Sequence, residues 1–298
     1  MSSVPADAKW IDVDGIKTRY IDQGQGAPIV LVHGGAMGDL NAASSLDDWR
    51  LNIDGLSQSH RVIAVDRLGQ GYTANPSREQ DWSLRGSTEH LKGFLKAIDV
   101  GPCHLVGHSE GGYTVCRLAV EAPSLVASCV IVDSYTTATG SSRDEYFAAL
   151  NPHQAGTRAS AKAQYEFYSC SPEHIGSDWL DVNEALFSSE QNQAARQAMN
   201  GDGLKSTIYL NNLLFDREQL LSRLAAQGVA RPILVVWGYD DPVASVDQSY
   251  HLYRILSQHQ QRSHLHILNQ AGHYSFRERS AEFDRIVNEF VDGAFDGN

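Results

Sequence analysis

The stretch Gly107-His108-Ser109-Glu110-Gly111-Gly112 carries the strongest fold signal in this chain of 298 residues. An apolar run at 103–106 leads into it, and a helical pattern at 113–121 follows it. The pattern predicts a strand, a sharp turn and a helix, with a serine at the apex and a glycine two residues away on either side. Such a turn lifts the Ser109 hydroxyl above the sheet and points the helix N-terminus at it.

A serine hydroxyl alone is a poor nucleophile, so this turn needs a base that takes its proton and an acid that orients the base. The apolar run 232–237 ends in Gly238-Tyr239-Asp240-Asp241-Pro242, and the run 264–268 leads into a loop that reaches His273. Loops that follow parallel strands share one edge of the sheet with Ser109. The chain order serine, acid, histidine is also typical of this arrangement. We therefore predict His273 as the base and Asp240 or Asp241 as the acid.

A fourth element lies near the N-terminus, where the apolar run 28–32 ends in His33-Gly34-Gly35-Ala36. Acyl transfer through a tetrahedral intermediate needs two backbone N–H donors directed at the developing oxyanion. We expect one donor from Glu110, directly after the serine, and the other from Gly35. Glycine at that turn lets the backbone approach a substrate closely, and Gly34 is predicted to contact the substrate as well.

The rest of the chain predicts an α/β fold. Asp14-Gly15, a dipeptide favoured in two-residue hairpin turns, separates two strand patterns at 10–13 and 16–21. Short apolar runs typical of a parallel sheet covered by helices follow at 29–32, 62–65, 103–106, 129–132, 233–236 and 265–268. Helical patterns separate these runs, for example at 87–98 and 280–291. We predict a mostly parallel eight-stranded sheet flanked by helices.

The alternation stops between Asp133 and Arg231, where helical patterns replace strands at 143–150, 159–168, 191–199 and 217–226. We predict a core of residues 1–134 and 216–298 and a helical lid of residues 135–215 over the edge that carries Ser109. A lid excludes water and shapes the substrate cavity. Aromatic residues of the lid either line an apolar pocket or pack the lid onto the core: Tyr135, Tyr146, Phe147, Tyr165, Phe167, Tyr168, Trp179 and Phe187.

With these elements, the chain resembles the α/β-hydrolase superfamily over nearly its whole length, and within it the meta-cleavage-product C–C hydrolases and related esterases. In those enzymes the acid follows the pattern G-x-x-D, which falls on Gly238 to Asp241. The resemblance therefore implies Asp241 rather than Asp240 as the acid. Residues 65–73 are similar to the D-x-x-G-x-G turn that the family carries after its fourth strand.

The resemblance also implies substrate contacts. Meta-cleavage hydrolases carry a lid arginine that holds the substrate carboxylate, and Arg196 lies at roughly that place; a guanidinium fork suits a planar carboxylate. Alternatively, Arg196 belongs to a solvated face, because a polar run precedes it at 188–193. Meta-cleavage hydrolases usually have an asparagine just before the nucleophile and a tryptophan just after the catalytic histidine. In this chain these positions hold His108 and Tyr274, and each is able to donate a hydrogen bond to a substrate. His108 is alternatively a packing residue of the turn.

Composition excludes several classes of function. The net charge of −12 argues against nucleic-acid and anionic membrane partners. The sequence contains no run of about 18 apolar residues, so no membrane span is expected. Residues 1–9 have neither a basic start nor an apolar stretch, so export is not expected. Four cysteines without C-x-x-C spacing are expected as free thiols: Cys103, Cys116, Cys129 and Cys170. A cytoplasmic location follows.

No cofactor or metal is expected. His264 and His266 lie two apart on one strand, but no acidic or cysteine residue has a spacing that completes a metal site. Gly69-Gln70-Gly71 lacks the G-x-G-x-x-G spacing and the Lys-Ser/Thr of a phosphate loop. The expected partner is a small apolar or aromatic substrate, and a homodimer is possible by analogy with the fold.

The sequence thus predicts a cofactor-independent serine hydrolase that cleaves either a C–C bond in a vinylogous diketone acid of aromatic-compound breakdown or a carboxylic ester. The alternatives are a lactone or ester hydrolase of secondary metabolism, a cofactor-free oxygenase or perhydrolase, and a small-molecule receptor that keeps the same three residues. Assays distinguish these alternatives. A C–C hydrolase cleaves the vinylogous acid, and an esterase cleaves only simple esters. An oxygenase consumes oxygen, and a receptor binds a partner in the presence of ligand without multiple turnover.

Overall fold

A computed structural model of the protein describes residues 7–293 and 295. These residues form one eight-stranded sheet in the order β1-β2-β4-β3-β5-β6-β7-β8. The strands are β1 (Lys9–Val13), β2 (Ile16–Gln23), β3 (Pro28–Val32), β4 (Arg61–Val65), β5 (Cys103–His108), β6 (Val126–Val132), β7 (Ile233–Gly238) and β8 (Ser263–Leu268). Strand β2 is antiparallel to β1 and β4, and all other neighbours are parallel. The predicted sheet is confirmed.

The local sequence explains these strands. Asp14 and Gly15 both have positive φ, at 51° and 84°, as a two-residue turn between right-twisted strands requires. The central strands are apolar and buried on both faces, because helices cover the sheet on each side. One apolar layer surrounds Phe94 and Tyr113, and the other surrounds Trp49 and Phe283.

Helices of the core connect the strands or follow β8: α1 (Arg50–Leu56), α2 (Leu84–Ala97), α3 (Glu110–Glu121), α9 (Val246–Leu256), α10 (Ser275–Glu278) and α11 (Ser280–Val291). Between β6 and β7 lie α4 (Asp144–Leu150), α5 (Arg158–Tyr168), α6 (Ser177–Ser188), α7 (Glu190–Arg196), π-helical turns at Gln197–Gly201 and Lys205–Tyr209, and α8 (Leu210–Gln227). We call residues 144–227 the helical segment. Among residues 7–293 and 295, no helix is long and apolar enough to cross a membrane.

The helical segment is continuous with the core at its end. Helix α8 begins at Leu210 and runs through the predicted lid boundary at 215. Its Leu220 and Leu224 are buried in the same apolar layer as Tyr113. The division into a core of 1–134 and 216–298 and a lid of 135–215 stays a prediction, with its second boundary inside one helix.

Candidate active site

Ser109 occupies the sharp turn between β5 and α3. Its φ and ψ are 51° and −120°, a strained conformation for a residue other than glycine. Glycines make room for it. A Cβ on Gly107 would lie 2.3 Å from the carbonyl oxygen of Gly111, and a Cβ on Gly111 would lie 2.4 Å from that of Val32. Both positions therefore require glycine for close backbone packing, as the sequence pattern predicts.

A continuous chain of hydrogen bonds joins three of the predicted site residues. The Ser109 hydroxyl lies 3.2 Å from Nε2 of His273, and Nδ1 of His273 lies 2.8 Å from Oδ2 of Asp241. The Asp241 side chain is fully buried, and its Oδ1 accepts the backbone N–H groups of Val243 and Ala244 at 2.8 and 2.9 Å. Because both oxygens of the Asp241 side chain act as acceptors in these bonds, Nδ1 of His273 carries the proton and Nε2 is left to accept from the serine.

The neighbouring carboxylate is placed differently. Asp240 is exposed, and its Oδ2 accepts a hydrogen bond from the thiol of Cys170 at 3.9 Å. The turn after β7 therefore directs Asp241 to His273 and Asp240 to the surface. The structure thus places Asp241, the aspartate that the family pattern implies, next to His273.

The backbone around Ser109 directs one N–H group away from the protein interior. The carbonyl of Ser109 accepts from the hydroxyls of Ser134, at 2.5 Å, and Thr136, at 3.2 Å. The C=O and N–H of a trans peptide point in opposite directions, and no described peptide bond is cis. The N–H of Glu110 therefore points away from these two hydroxyls, on the side expected for an oxyanion donor.

The same argument applies to the turn after β3. The Gly34 carbonyl accepts from Nδ1 of His33 at 2.8 Å, so the N–H of Gly35 points away from the His33 ring. Gly35 has φ of 78°, a conformation that glycine adopts without strain. Both predicted donors, Gly35 and Glu110, belong to residues that border the same cavity.

The cavity above Ser109 has a volume of about 160 Å³. The sheet edge and the helical segment form its two walls. Core residues of the lining include Gly35, Asp39, Asp48, His108, Ser109, Glu110, His273 and Tyr274. The helical segment contributes Gln164, Tyr168, Lys205, Tyr209, Leu210 and Leu213. Of the eight lid aromatics considered from sequence, Tyr135 and Tyr168 belong to the lining, whereas Tyr165 stacks on Trp179 at 3.8 Å.

Two residues predicted to contact the substrate lie outside the cavity lining. The Arg196 guanidinium donates to the Phe187 carbonyl at 2.7 Å, lies over the Phe187 ring at 3.6 Å and is not part of the cavity lining. Lys205 does line the cavity. Gly34 lies behind the lining, where an added Cβ would approach Nδ1 of His108 to 2.7 Å. The absence of a side chain at Gly34 makes room for this ring.

His108 lines the cavity but is not available as a donor. Its Nε2 lies 2.8 Å from the backbone carbonyl of His273 and must donate to it. Nδ1 is then a bare acceptor, with no partner among the described residues. Burial lowers the pKa of His108 well below its ordinary value, and the neighbouring His273 adds to the effect. In this arrangement neither ring nitrogen of His108 donates into the cavity, and a role of His108 in substrate binding stays a prediction.

Tyr274 supplies an aromatic surface beside Ser109. Its ring contacts those of His108 and Trp179 at centroid distances of 5.6 and 5.2 Å. Burial raises the pKa of Tyr274 well above its ordinary value. The hydroxyl therefore remains protonated and able to donate, as the sequence comparison with the family's tryptophan implies.

Sequence reasoning missed Asp48, which lines the cavity beneath Tyr274. Its Oδ1 accepts from the Trp179 indole at 2.9 Å, and burial raises the pKa of the carboxyl to about 7. Asp39 makes the same wall more acidic. The acidic pair Asp47-Asp48 is visible in the sequence, but nothing local predicts which of the two faces a cavity.

Asp133, directly after β6, is a second carboxyl that the sequence did not single out. Its Oδ1 accepts the N–H of Gly238 at 2.7 Å, and its Oδ2 accepts the hydroxyl of Ser275. It thereby joins the loops that carry Asp241 and His273. Burial raises the pKa of Asp133 well above its ordinary value, and the nearby Asp241 raises it further. A polar residue at the carboxyl end of a buried parallel strand was the available signal.

The family model for the α/β hydrolase fold matches residues 27–280. The chain therefore belongs to the α/β-hydrolase family, in agreement with its sheet and its serine turn. It is a hydrolase-class enzyme of that fold.

Individual relatives differ in chemistry. The chain is 28% identical to the 2-hydroxy-6-oxo-6-(2'-aminophenyl)hexa-2,4-dienoic acid hydrolase of Metapseudomonas resinovorans, covering 95% of this chain and 90% of that protein. It is also 28% identical to a dihydrolipoyllysine-residue acetyltransferase component of the acetoin cleaving system of Cupriavidus necator, covering 96% of this chain and 69% of that one. The meta-cleavage product hydrolase CumD of Pseudomonas fluorescens superposes with a TM-score of 0.77 at 22% identity, over 96% and 98% of the chains. This last likeness shows the fold alone.

Proposed function

We propose that the protein is a cofactor-independent serine hydrolase with Ser109 as nucleophile, His273 as general base and acid, and Asp241 as the orienting acid. The observation that carries this proposal is the hydrogen-bonded chain from Ser109 through His273 to the buried Asp241. It begins at a cavity that is large enough to hold a small molecule.

The reaction follows from this arrangement. The Ser109 oxygen attacks the substrate carbonyl carbon while its proton passes to Nε2 of His273. The oxyanion accepts hydrogen bonds from the N–H groups of Gly35 and Glu110. The intermediate collapses, and the leaving group takes the proton from His273. Water then attacks the acyl-enzyme with His273 as base, which releases the acid product and restores the serine hydroxyl.

The first substrate candidate is a vinylogous 1,5-diketone acid, in which the bond that breaks joins two carbons. Support comes from the Metapseudomonas relative, whose name describes a hydrolase of such a dienoic acid. The leaving group is then a carbanion equivalent, so the dienol must be protonated on carbon before attack. Tyr274 lines the cavity beside Ser109 and is suited to hold the substrate during this tautomerisation.

The second candidate is a carboxylic ester or lactone, and the cavity wall favours it. Asp48 and Asp39 line the cavity, and Arg196 lies outside it. Lys205 lies in the same lining and offsets part of this negative charge, but a substrate carboxylate next to Asp48 and Asp39 would still be repelled, whereas a neutral ester would not. The volume of about 160 Å³ is close to that of an engineered cavity that binds benzene, so a small aromatic or aliphatic group fits.

The test compares two substrates and two serine variants. Wild-type protein is assayed with p-nitrophenyl acetate and with 2-hydroxy-6-oxo-6-phenylhexa-2,4-dienoic acid, and oxygen uptake is recorded. Ser109→Ala should abolish turnover of whichever substrate is used. The control is Ser128→Ala, because Ser128 is also buried but bonds His104 at the far end of the sheet. Turnover that survives in Ser109→Ala, or oxygen consumption, would exclude the proposed mechanism.

The proposal extends to the setting of the enzyme. The substrate is a small apolar or aromatic molecule, and no cofactor takes part in the reaction. The cytoplasmic location and the homodimer stay predictions from the sequence; cell fractionation and light scattering would test them.

A further inference from the structure

Arg67 contacts both residues whose backbone N–H groups we propose as oxyanion donors. It is buried and follows β4 by two residues. Its Nη1 donates to the carbonyls of Gly35, at 2.8 Å, and Gly34, at 3.3 Å. Its Nη2 lies 3.2 Å from Oε2 of Glu110. One guanidinium thus spans the turn after β3 and the start of α3.

On the side of the turn, Arg67 works together with His33. The Arg67 backbone N–H donates to Nε2 of His33 at 3.0 Å, which leaves Nδ1 to donate to the Gly34 carbonyl. Gln70 adds a second donor to the Gly35 carbonyl at 2.8 Å. Because two successive carbonyls are held from the interior, the N–H groups of Gly35 and Ala36 face the opposite way. The direction of the first donor therefore depends on the position of the guanidinium.

On the side of the helix, the partner is the Glu110 carboxylate. It is buried, and its second oxygen accepts the hydroxyl of Tyr209, from the helical segment. The carboxylate lies at the first residue of α3, where the helix dipole favours a negative charge. A buried ion pair fixes geometry strongly, because either charge left alone is costly. The same guanidinium therefore also holds the side chain of the residue that carries the second donor.

We propose that Arg67 is a positioning residue that sets the spacing between the Gly35 and Glu110 N–H groups, with the Glu110 carboxylate as its anchor. This inference rests on the proposed function. Arg67 acts through the two donors and not on the reacting atoms. Tyr209, on the opposite wall, donates its hydroxyl to the Glu110 carboxylate, so the helical segment also contacts this anchor.

The fork of the guanidinium is the property to test. A lysine at position 67 keeps the charge but presents one ammonium on a flexible stem, so it cannot hold both partners in a fixed plane. The matched control is Arg117→Lys. Arg117 lies on the same helix as Glu110 and pairs with Glu121 at 3.0 Å and with Asp216 at 3.4 Å, outside the cavity.

Kinetics and inhibitor binding are measured with the substrate that wild-type protein turns over and with phenylboronic acid, which adds to a serine hydroxyl as a tetrahedral anion. For Arg67→Lys we expect kcat to fall on the order of 10²-fold, with KM within about threefold of wild type, because a displaced donor is missed mainly in the transition state. The affinity for phenylboronic acid should fall in parallel with kcat. Arg117→Lys should leave kcat and boronate affinity unchanged, whatever it does to the melting temperature.

Three results would overturn the inference: unchanged kcat in folded Arg67→Lys, an equal rise in KM and fall in kcat, or an equal loss in Arg117→Lys. If Arg67→Lys does not fold, the double variant Arg67→Met with Glu110→Gln removes both buried charges together. Full kcat in this variant would also overturn the inference. Boronate binding needs no turnover, so it separates failure of the donor arrangement from failure of the proposed substrates.

Discussion

The sheet edge and the helical segment form opposite walls of one cavity, but they are fixed in different ways. At the edge, backbone contacts hold the chemical groups: Asp241 accepts two N–H groups, and Gly107 and Gly111 leave no space for a side chain. In the helical segment, side chains such as Lys205 and Leu213 supply the wall. Backbone geometry therefore determines the proposed reaction, and side-chain packing determines what enters.

The largest effect should come from the acid at the sheet edge. Asp241→Asn should lower kcat on the order of 10⁴-fold, because the wrong histidine tautomer is favoured, whereas Asp240→Asn should have at most a modest effect. Both proteins should remain folded by circular dichroism. Equal losses, or a larger loss at Asp240, would mean that the wrong carboxylate has been assigned.

Stability should separate the two walls next. Gly111→Ala places a Cβ against the Val32 backbone at 2.4 Å, whereas Gly201→Ala in the helical segment meets the end of the flexible Gln197 side chain. We expect a loss of more than about 3 kcal/mol in the free energy of unfolding for the first and roughly 1 kcal/mol or less for the second. Urea denaturation measures both. Similar losses would contradict the contrast between the walls.

Charge at the base of the cavity should produce a smaller, pH-dependent effect. Burial raises the Asp48 pKa to about 7, so this carboxyl is mostly neutral at pH 5.5 and mostly ionised at pH 8.5. Asp48→Asn should lower KM for a substrate carboxylate roughly tenfold at pH 8.5. At pH 5.5 the same substitution should change KM for the carboxylate little. KM for a neutral ester should stay unchanged at both pH values. A KM difference that does not depend on pH would argue that Asp48 acts through packing with Trp179.

The smallest effect should come from Arg196. Its guanidinium is occupied by the Phe187 carbonyl and ring, so Arg196→Ala should change KM for a carboxylate substrate by less than about twofold. Lys205→Ala serves as the comparison, since Lys205 lines the cavity and its loss should raise this KM several-fold. A large effect at Arg196 and none at Lys205 would restore the original interpretation of the lid arginine.

Features that the local sequence encodes could be predicted, whereas the contacts of individual side chains in the cavity wall could not. The strands, the Asp14-Gly15 hairpin and the Ser109 turn were predictable, because apolar runs and turn residues encode them locally. Asp241 and His273 followed from strand order. The environments of Arg196 and His108 were not predictable, because each depends on a backbone carbonyl that no local pattern indicates: that of Phe187, nine residues before Arg196, and that of His273, 165 residues after His108. Asp48 was missed for a similar reason: its indole partner, Trp179, is 131 residues away.

Asp133 gives the sheet edge a further property. Its carboxyl bonds the start of the acid loop at Gly238 and the residue two beyond His273, so one side chain fastens both loops to the end of β6. We therefore expect heating to abolish activity in the same transition that unfolds the sheet. The helical segment is tied to the same edge by a different bond, from the His273 N–H to the Tyr168 carbonyl at 2.8 Å, so a displacement of the C-terminal end of α5 would also displace His273.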